Sequence, residues 1–404
     1  MENIKRSNGQ EQDNKKEVYT GYWLAKLSGF LYDKSWTSIF HITRLILILI
    51  LSIIHTSVPV LLGECIDIIE KMLIINYIIL SINCLLMAIP LIFNSDKSRL
   101  LCSVIETEFH QPKIKFSSKQ LAIKQYTQNF LRKFAFNVSF YYYSAMALNL
   151  GRRYIFEGIS MKISPLKGWI PFEMNSWLRF IFVFIFQTLM TVNALQAHLG
   201  FLNTFVIHSY SLSAQFEVLS IHIQETFENY YLKDGKEVPE RDSVDQEKYI
   251  QYRIKYAVQH HGNLLRYFRL YQEAYNMFLL IFAISTGAMI CTVVYVITDP
   301  SSSLLLVIMC FVCLFIPEVI IIGIYCWFGQ HLTNKYKNIQ EAIYSIPWYT
   351  QTVKTQKLLL NILTACQRER IVKGGGLQEF SMLGLSELLQ ASFSYYNILK
   401  AMRQ

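Results

Sequence analysis

The feature that most constrains this chain is a stretch of about 37 residues, 180–216, without a single Asp, Glu, Lys or Arg. A helix crosses the hydrocarbon core of a bilayer with about 20 apolar residues, so this run exceeds one crossing. It continues to Ile223 at helical spacing and reads as one long helix whose far half leaves the membrane. Further uncharged runs punctuate the chain. Residues 45–63 after Arg44, 72–95 after Lys71 and 134–151 between Lys133 and Arg152 read as spans one to three, and 180–216 contains the fourth. Residues 273–297 and 303–328 give spans five and six. Pro317 and Glu318, near the middle of the sixth, predict a kink or a protein-packed face. Residues 380–402 form the weakest span by hydropathy, because they hold Glu387, serines and Lys400. Charged residues make up 17% of the chain, against roughly 25% in soluble domains. The fold expected is an all-α membrane protein with seven transmembrane helices.

Seven spans put the two ends on opposite sides, and the bias of basic residues chooses which. With the N-terminus inside, the segments 1–37, 95–133, 208–274 and 329–378 are cytosolic and hold about 29 of the 38 lysines and arginines. The expected topology therefore has an intracellular N-terminus and an extracellular C-terminus. Residues 1–17 are polar and lack the basic start, apolar stretch and cleavage site of a signal peptide, in keeping with a start that stays in the cytosol. This topology is inverted relative to G-protein-coupled receptors, and Arg152-Arg153-Tyr154 stands on the wrong side to serve as their signature after span three. Secondary transporters often repeat their two halves, and no such symmetry relates spans one to three to spans four to six. The +9 charge belongs to cytosolic loops beside an anionic leaflet, and no nucleic-acid motif accompanies it.

The chain divides into a cytosolic N-terminal segment (1–37), helices one to six with cytosolic extensions of the fourth and fifth (38–328, the extensions at about 208–274), a cytosolic helix with a glycine loop (329–376) and a final span (377–404). Tyr249, Tyr252, Tyr256, Gln259, Asn263, Arg266 and Leu270 recur at helical spacing and lead into span five. A second amphipathic helix, 339–368, carries Ile343, Ile346, Trp348, Val353, Leu358, Leu359 and Ile362. Neither has a bilayer to cover its apolar face, so each needs a protein partner. Gly374-Gly375-Gly376 suits a loop between rigid elements, and 231–246 reads as a flexible loop.

Eight cysteines are scattered, and Cys84, Cys291, Cys310, Cys313 and Cys326 fall in apolar runs, so no disulfide framework is implied. The CxxC of Cys310 and Cys313 lacks a second ligand pair, and His260-His261 lack a third ligand at zinc-like spacing. No metal, no cofactor and no catalytic constellation is expected, so the chain does not read as an enzyme.

The C-terminal run from Leu389 to Lys400, Leu-Gln-Ala-Ser-Phe-Ser-Tyr-Tyr-Asn-Ile-Leu-Lys, resembles the terminal signature of insect odorant receptors. Ala342-Ile343-Tyr344-Ser345-Ile346-Pro347-Trp348-Tyr349 is similar to that family's helix start after span six, and Pro165-Leu166-Lys167-Gly168-Trp169-Ile170-Pro171-Phe172 to its Pro- and Trp-containing external loop. The related gustatory receptors, which would make this a homomeric chemoreceptor channel, end in Thr-Tyr with a terminal Gln-Phe. Met402-Arg403-Gln404 departs from that ending.

The resemblance implies four subunits around a central pore, an odorant-tuned subunit paired with the family's co-receptor, and cytosolic helices that anchor subunits, with Tyr256, Trp348 and Tyr349 as anchor residues here. It implies a multi-pass protein of the plasma membrane in olfactory dendrites, gated as a non-selective cation channel. Glu387, Ala391, Ser394, Ile398 and Ala401 share one face of the last helix. Either pore lining or ordinary packing of small residues accounts for that face. By motif position Ile398 matches the family's gate, with Ser394 and Ala401 beside it. Glu387 then faces a vestibule or pairs between helices. The ligand is expected to be a small, mostly apolar volatile in the outer half of the bundle. Tyr77, Ser81, Tyr143, Ser144, Ala147, Leu148, Phe184, Gln187, Thr188 and Thr191 are its candidate contacts, though each could equally be core packing. Gln187 in particular needs a hydrogen-bond partner at membrane depth, which a ligand oxygen could supply.

Overall fold

A computed structural model describes residues 36–62, 68–93, 95–107, 109, 116–158, 164–166, 168–231 and 243–402. Most of the N-terminal segment, most of the loop at 231–246, Gly63, Lys167, Arg403 and Gln404 lie outside the described residues. The described chain is almost wholly helical: α1 (Trp36–Leu61), α2 (Ile68–Phe93), α3 (Ser95–Thr107), α4 (Ser118–Glu157), α5 (Trp177–Tyr231) and α6 (Ser243–Thr298). There follow α7 (Leu304–Cys310), a π-turn (Phe311–Phe315), α8 (Ile316–Tyr344), a 3₁₀ turn (Trp348–Thr350), α9 (Val353–Cys366), the two-residue strands β1 (Lys373–Gly374) and β2 (Gln378–Glu379), and α10 (Met382–Ala401).

Serine side chains cap the N-termini of α4, α7 and α10. Ser117 opens α4 with a reciprocal box, in which its hydroxyl accepts from the Gln120 amide at 3.2 Å and the Gln120 side chain accepts from the Ser117 amide at 3.0 Å. Ser303 and Ser381 cap α7 and α10 in the same sense, accepting from the amides of Leu306 and Gly384. Where the sixth span is expected to kink or to pack against protein, the helix holds a π-turn. Pro317 has no N–H and its ring crowds the carbonyl four residues back, so the preceding turn widens and the Ile316 amide bonds to the Phe311 carbonyl. Tyr142 of α4 donates to the Pro317 carbonyl at 2.8 Å, tying the irregular turn to its neighbour.

Among the described residues four stretches are long and apolar enough to cross a membrane, Phe40–Leu61, Trp177–Phe227, Gln246–Thr298 and Leu304–Tyr344, with Lys71–Leu86 a shorter apolar helix. The other two expected spans, 134–151 and 380–402, fall on α4 and α10. At 1.5 Å per residue the 55 residues of α5 extend roughly 80 Å, far beyond a core of about 30 Å. The 56-residue α6 does the same. The faces that no other helix covers are apolar, with Phe136, Phe140, Leu178 and Phe182 among the exposed side chains. Such a surface suits lipid and not water.

The middle of the bundle is packed by aromatic rings from α5, α6 and α8. Phe201 stacks on Phe278 at 4.1 Å, and Tyr325 lies 4.7 Å from Phe205 and 4.6 Å from Phe282. The glycine run is more ordered than a plain linker. Gly375 and Gly376 adopt φ of 62° and 71°, which turns β1 back onto β2. The turn is strapped to α6 by the Gly375 amide, which donates to the Asn276 carbonyl at 2.9 Å. A Cβ on Gly374 would stand 2.8 Å from the Leu280 amide nitrogen, so the hairpin approaches α6 as closely as only glycine permits.

Candidate functional site

Between α1, α2, α4, α5, α6, the π-turn and the start of α8 lies a cavity of about 150 Å³. It sits toward the end of the bundle where α4 stops and α5 begins. The sequence places small or slim side chains on the facing surfaces: Ser52 and Thr56 of α1, Leu80 of α2, Ala145 and Met146 of α4, Met190 and Ala194 of α5, Met289 and Val293 of α6, and Cys313 of the π-turn. Leu166, from the segment before α5, closes one side. A cavity of this volume lined by apolar groups admits a benzene-sized molecule.

The polar groups of the wall are mostly bonded to one another. Ser52 and Ser81 pair at 2.9 Å, and Thr56 donates to the Ser52 carbonyl. Tyr77 donates to Asn149 at 3.0 Å, bridging α2 and α4. Asn76 reaches across to α6, donating to the Met289 carbonyl and the Thr292 hydroxyl. Thr286 donates to Glu318 at 2.9 Å, which gives this carboxyl group a partner in an otherwise apolar surrounding.

Of the expected ligand contacts, Tyr77, Ser81 and Thr191 lie in the cavity wall. The others lie outside it, for identifiable reasons. On α4 the wall is formed by Tyr142, Ala145, Met146 and Asn149, one helical step away from Tyr143, Ser144, Ala147 and Leu148. Ser144, Ala147 and Leu148 are exposed, and Tyr143 is half-buried against the core. The Ser144 hydroxyl is occupied by the Phe140 carbonyl. On α5, Phe184 is exposed, and Thr188, half-buried, donates to the Phe184 carbonyl at 2.7 Å. Gln187 is fully buried, but its partners belong to the chain. Its oxygen accepts from the Leu166 amide at 2.9 Å, and its amide donates to the Leu166 carbonyl and to His55 Nε2. His55, a proton on Nδ1, donates to the Trp169 carbonyl at 2.7 Å. Gln187 therefore clamps the segment that carries Leu166 over the cavity. Tyr142, Met190, His198 and Met289 also stand in the wall without any signal in the hydropathy that would have selected them, whereas Glu318, also there, is the charge that the sequence marks within the sixth span.

The last helix presents two unlike faces. Gly384, Leu388, Ser392 and Tyr396 are buried, four residues apart along one line. Ser392 lies close to Gly287 of α6, and Tyr396 clusters with Cys291 and Tyr295. Glu387, Ala391, Ser394, Ile398 and Ala401 are all exposed, with Ile398 at 56%. The small and polar face is thus left uncovered by this chain, together with the neighbouring Leu383, Phe393, Tyr395 and Leu399. At the opposite end of the molecule Tyr256 packs on His260, with ring planes 8° apart, and against His222. Trp348 and Tyr349 stand exposed on the 3₁₀ turn. Among the described residues no three His, Cys, Asp or Glu side chains gather as a metal ion would require.

The sequence model of the 7tm Odorant receptor family matches residues 64–393, from just after α1 to the middle of α10. The chain belongs to the odorant receptor family. Two relatives from Drosophila melanogaster, Odorant receptor 22c and Putative odorant receptor 85d, are each 23% identical over 151 residues. The matched part is 37% of this odorant receptor family member and 37% and 36% of those relatives' lengths. The insect olfactory receptor OR5 from Machilis hrabei superposes with a TM-score of 0.78 at 13% identity, covering 96% of this chain and 98% of that one. Its complex with eugenol superposes with a TM-score of 0.77 at 12% identity, over 97% and 99%. The fold of this odorant receptor family member is that of an insect olfactory receptor, a membrane-spanning helical receptor and not an enzyme.

Proposed function

We propose that the chain is an odorant-tuned subunit of a ligand-gated, non-selective cation channel, assembled as a heterotetramer with the family's co-receptor in the plasma membrane of olfactory dendrites. The observation that carries this reading is the cavity of about 150 Å³ among seven helical elements, mostly apolar and closed by Leu166. A volatile that loses about 200 Å² of apolar surface there gains about 5 kcal/mol, and the cost of its lost translational and rotational freedom is set against that gain. The complex of the Machilis hrabei receptor with eugenol supports a small aromatic or aliphatic odorant as the ligand class.

In this reading seven helices cross the bilayer, with the N-terminus in the cytosol and the C-terminus outside. The cavity then lies in the outer half, and the extensions of α5 and α6 hang below the membrane. The exposed face of α10 lines the pore, and Ile398 narrows it by excluding water. Tyr256, Trp348 and Tyr349 belong to the cytosolic layer where subunits meet.

The test is electrophysiological. Co-expressed with an insect odorant receptor co-receptor, the chain should give odorant-evoked cation currents. Met190→Trp, which fills the cavity from α5, should abolish them while surface assembly persists. Currents of normal size and potency in that variant would overturn the reading.

A further inference from the structure

Glu318, at the start of α8, is the one Asp, Glu, Lys or Arg among the described residues that line the cavity. Its carboxyl group is only half satisfied. Oε1 accepts from the Thr286 hydroxyl at 2.9 Å, while Oε2 has no hydrogen bond among the described residues. Nor is Oε2 one of the fully buried side-chain atoms that lack a partner, so it keeps surface that a small molecule can touch. That surface opens inward. Thr286, which bonds Glu318, is buried, as are Tyr142, Ile290 and Ile321, which share the wall with it, whereas Glu318 itself is half-buried. The accessible part of this residue belongs to the cavity it lines.

An acid at membrane depth is costly unless a cation or several donors meet it. The ion pairs among the described residues are made by other carboxylates, those of Glu273, Glu217, Glu369 and Glu379. The wall itself holds no Lys or Arg. We infer that the cavity takes a small volatile amine, its nitrogen against Glu318 Oε2 and its hydrocarbon part against Leu80, Met190, Met289 and Val293. The inference rests on the reading of the cavity as the odorant site. An amine is singled out because it reaches the same ion pair from either protonation state of the carboxyl group. A carboxylate receives an alkylammonium ion. A carboxylic acid gives its proton to the nitrogen lone pair of the free amine, so that an O–H bond breaks and an N–H bond forms. The resulting hydrogen bond joins two charged groups and is roughly twice as strong as one between neutral groups. An alcohol bonds to either form but neutralises no charge, and a ketone, which only accepts, bonds to the protonated form alone. A carboxylic acid odorant would set a second acid beside the first.

The experiment compares currents evoked by cyclohexylamine, cyclohexanol and cyclohexanone, and by benzylamine, benzyl alcohol and toluene, in the receptor co-expressed with its co-receptor. The native chain should be most sensitive to the amine of each set. Glu318→Gln keeps the shape and an oxygen that can accept from Thr286, but it removes the acid. It should cost the amines about ten- to hundredfold in potency, the worth of a hydrogen bond to a charged group, and change the neutral ligands far less. Glu318→Asp keeps the acid one methylene further back and should retain part of the amine preference, which separates a lost charge from disturbed packing. A native chain no more sensitive to the amines than to their alcohols, or equal losses for all ligands in Glu318→Gln, would overturn the assignment of Glu318. Met190→Trp separates the two levels. If it silences every agonist while Glu318→Gln alters no preference, the cavity stands and the amine anchor falls. If it silences none, the cavity itself is not the site.

Discussion

The same three helices, α5, α6 and α8, build two regions that differ in how they are filled. Where they carry Phe201, Phe205, Phe278, Phe282 and Tyr325, rings interlock and every one of these side chains is nearly or fully buried. A few turns along, the facing positions are Met190, Ala194, Met289 and Val293, and the space between them is left open. Smaller facing side chains are one difference between the filled region and the open one. The cavity is also the region where the helical ladder is least regular, because the π-turn before Pro317 forms part of its wall. If the cavity is the ligand site, as proposed, then that site is a place where packing was withheld, with its polar groups bonded to each other in compensation.

That contrast can be broken first in the filled region. Phe278→Ala removes a ring stacked on Phe201 and should cost about 3–5 kcal/mol, read as a marked fall in the melting temperature of the detergent-solubilised protein. Met190→Ala, beside a space that is already open, should cost distinctly less. Equal losses at the two positions would mean that the regions are packed alike.

The clamp that closes the open region comes next. Gln187→Leu deletes three hydrogen bonds, two to Leu166 and one to His55, and leaves the partners buried. A loss of about 1–3 kcal/mol is expected, together with an altered ranking of short against long odorants, since Leu166 lines the cavity. An unchanged ranking with reduced stability would assign the clamp a structural role only.

A similar contrast recurs on the two faces of α10. Ile398→Ala should raise the unliganded current relative to the odorant-evoked current, because a dry constriction widens. Leu388→Ala, on the buried face, should lower expression with little change in that ratio. The change for Ile398→Ala is partial if other subunits supply their own constriction. If Leu388→Ala raises the ratio and Ile398→Ala does not, the exposed face is a packing surface for another subunit.

The smallest expected effect concerns pH. His222, His260 and His261 lie on the extensions of α5 and α6, and burial, the first cause in each case, holds each of them down to about 4 from an ordinary 6.5. Arg253 adds to the effect at His222, and His260 and Arg370 add to it at His261. Their folded values are depressed, so above pH 6.5 neither state is charged and nothing is lost. Below it the unfolded chain binds more protons, and stability falls progressively between about pH 6.5 and about 4. His261→Phe, which preserves the stack on Tyr336, should flatten melting temperature against pH in that window. A slope identical to that of the native chain would show that His261 does not contribute.

The sequence carried some of this architecture plainly and hid the rest. Long uncharged runs announce helices, and Pro317 announced an irregularity that takes the form of a π-turn. The phase of α4 was not legible. Around a membrane helix lipid is as apolar as the protein interior, so Phe136 and Phe140, which are exposed, and Tyr142, which is buried, look alike in a hydropathy pattern. Four consecutive aromatic residues, Phe140 to Tyr143, add no periodicity to resolve it. Gln187 was conspicuous as a polar group at membrane depth, but its partner, Leu166, is a backbone group 21 residues away whose approach depends on the tertiary fold.

The most direct test of the account is a structure of the receptor, assembled with its co-receptor, bound to a bromine-bearing agonist. The account predicts bromine density enclosed by Tyr77, Met190, Met289 and Cys313. An occupied site elsewhere in the chain, with this cavity empty while the agonist opens the channel, would contradict it.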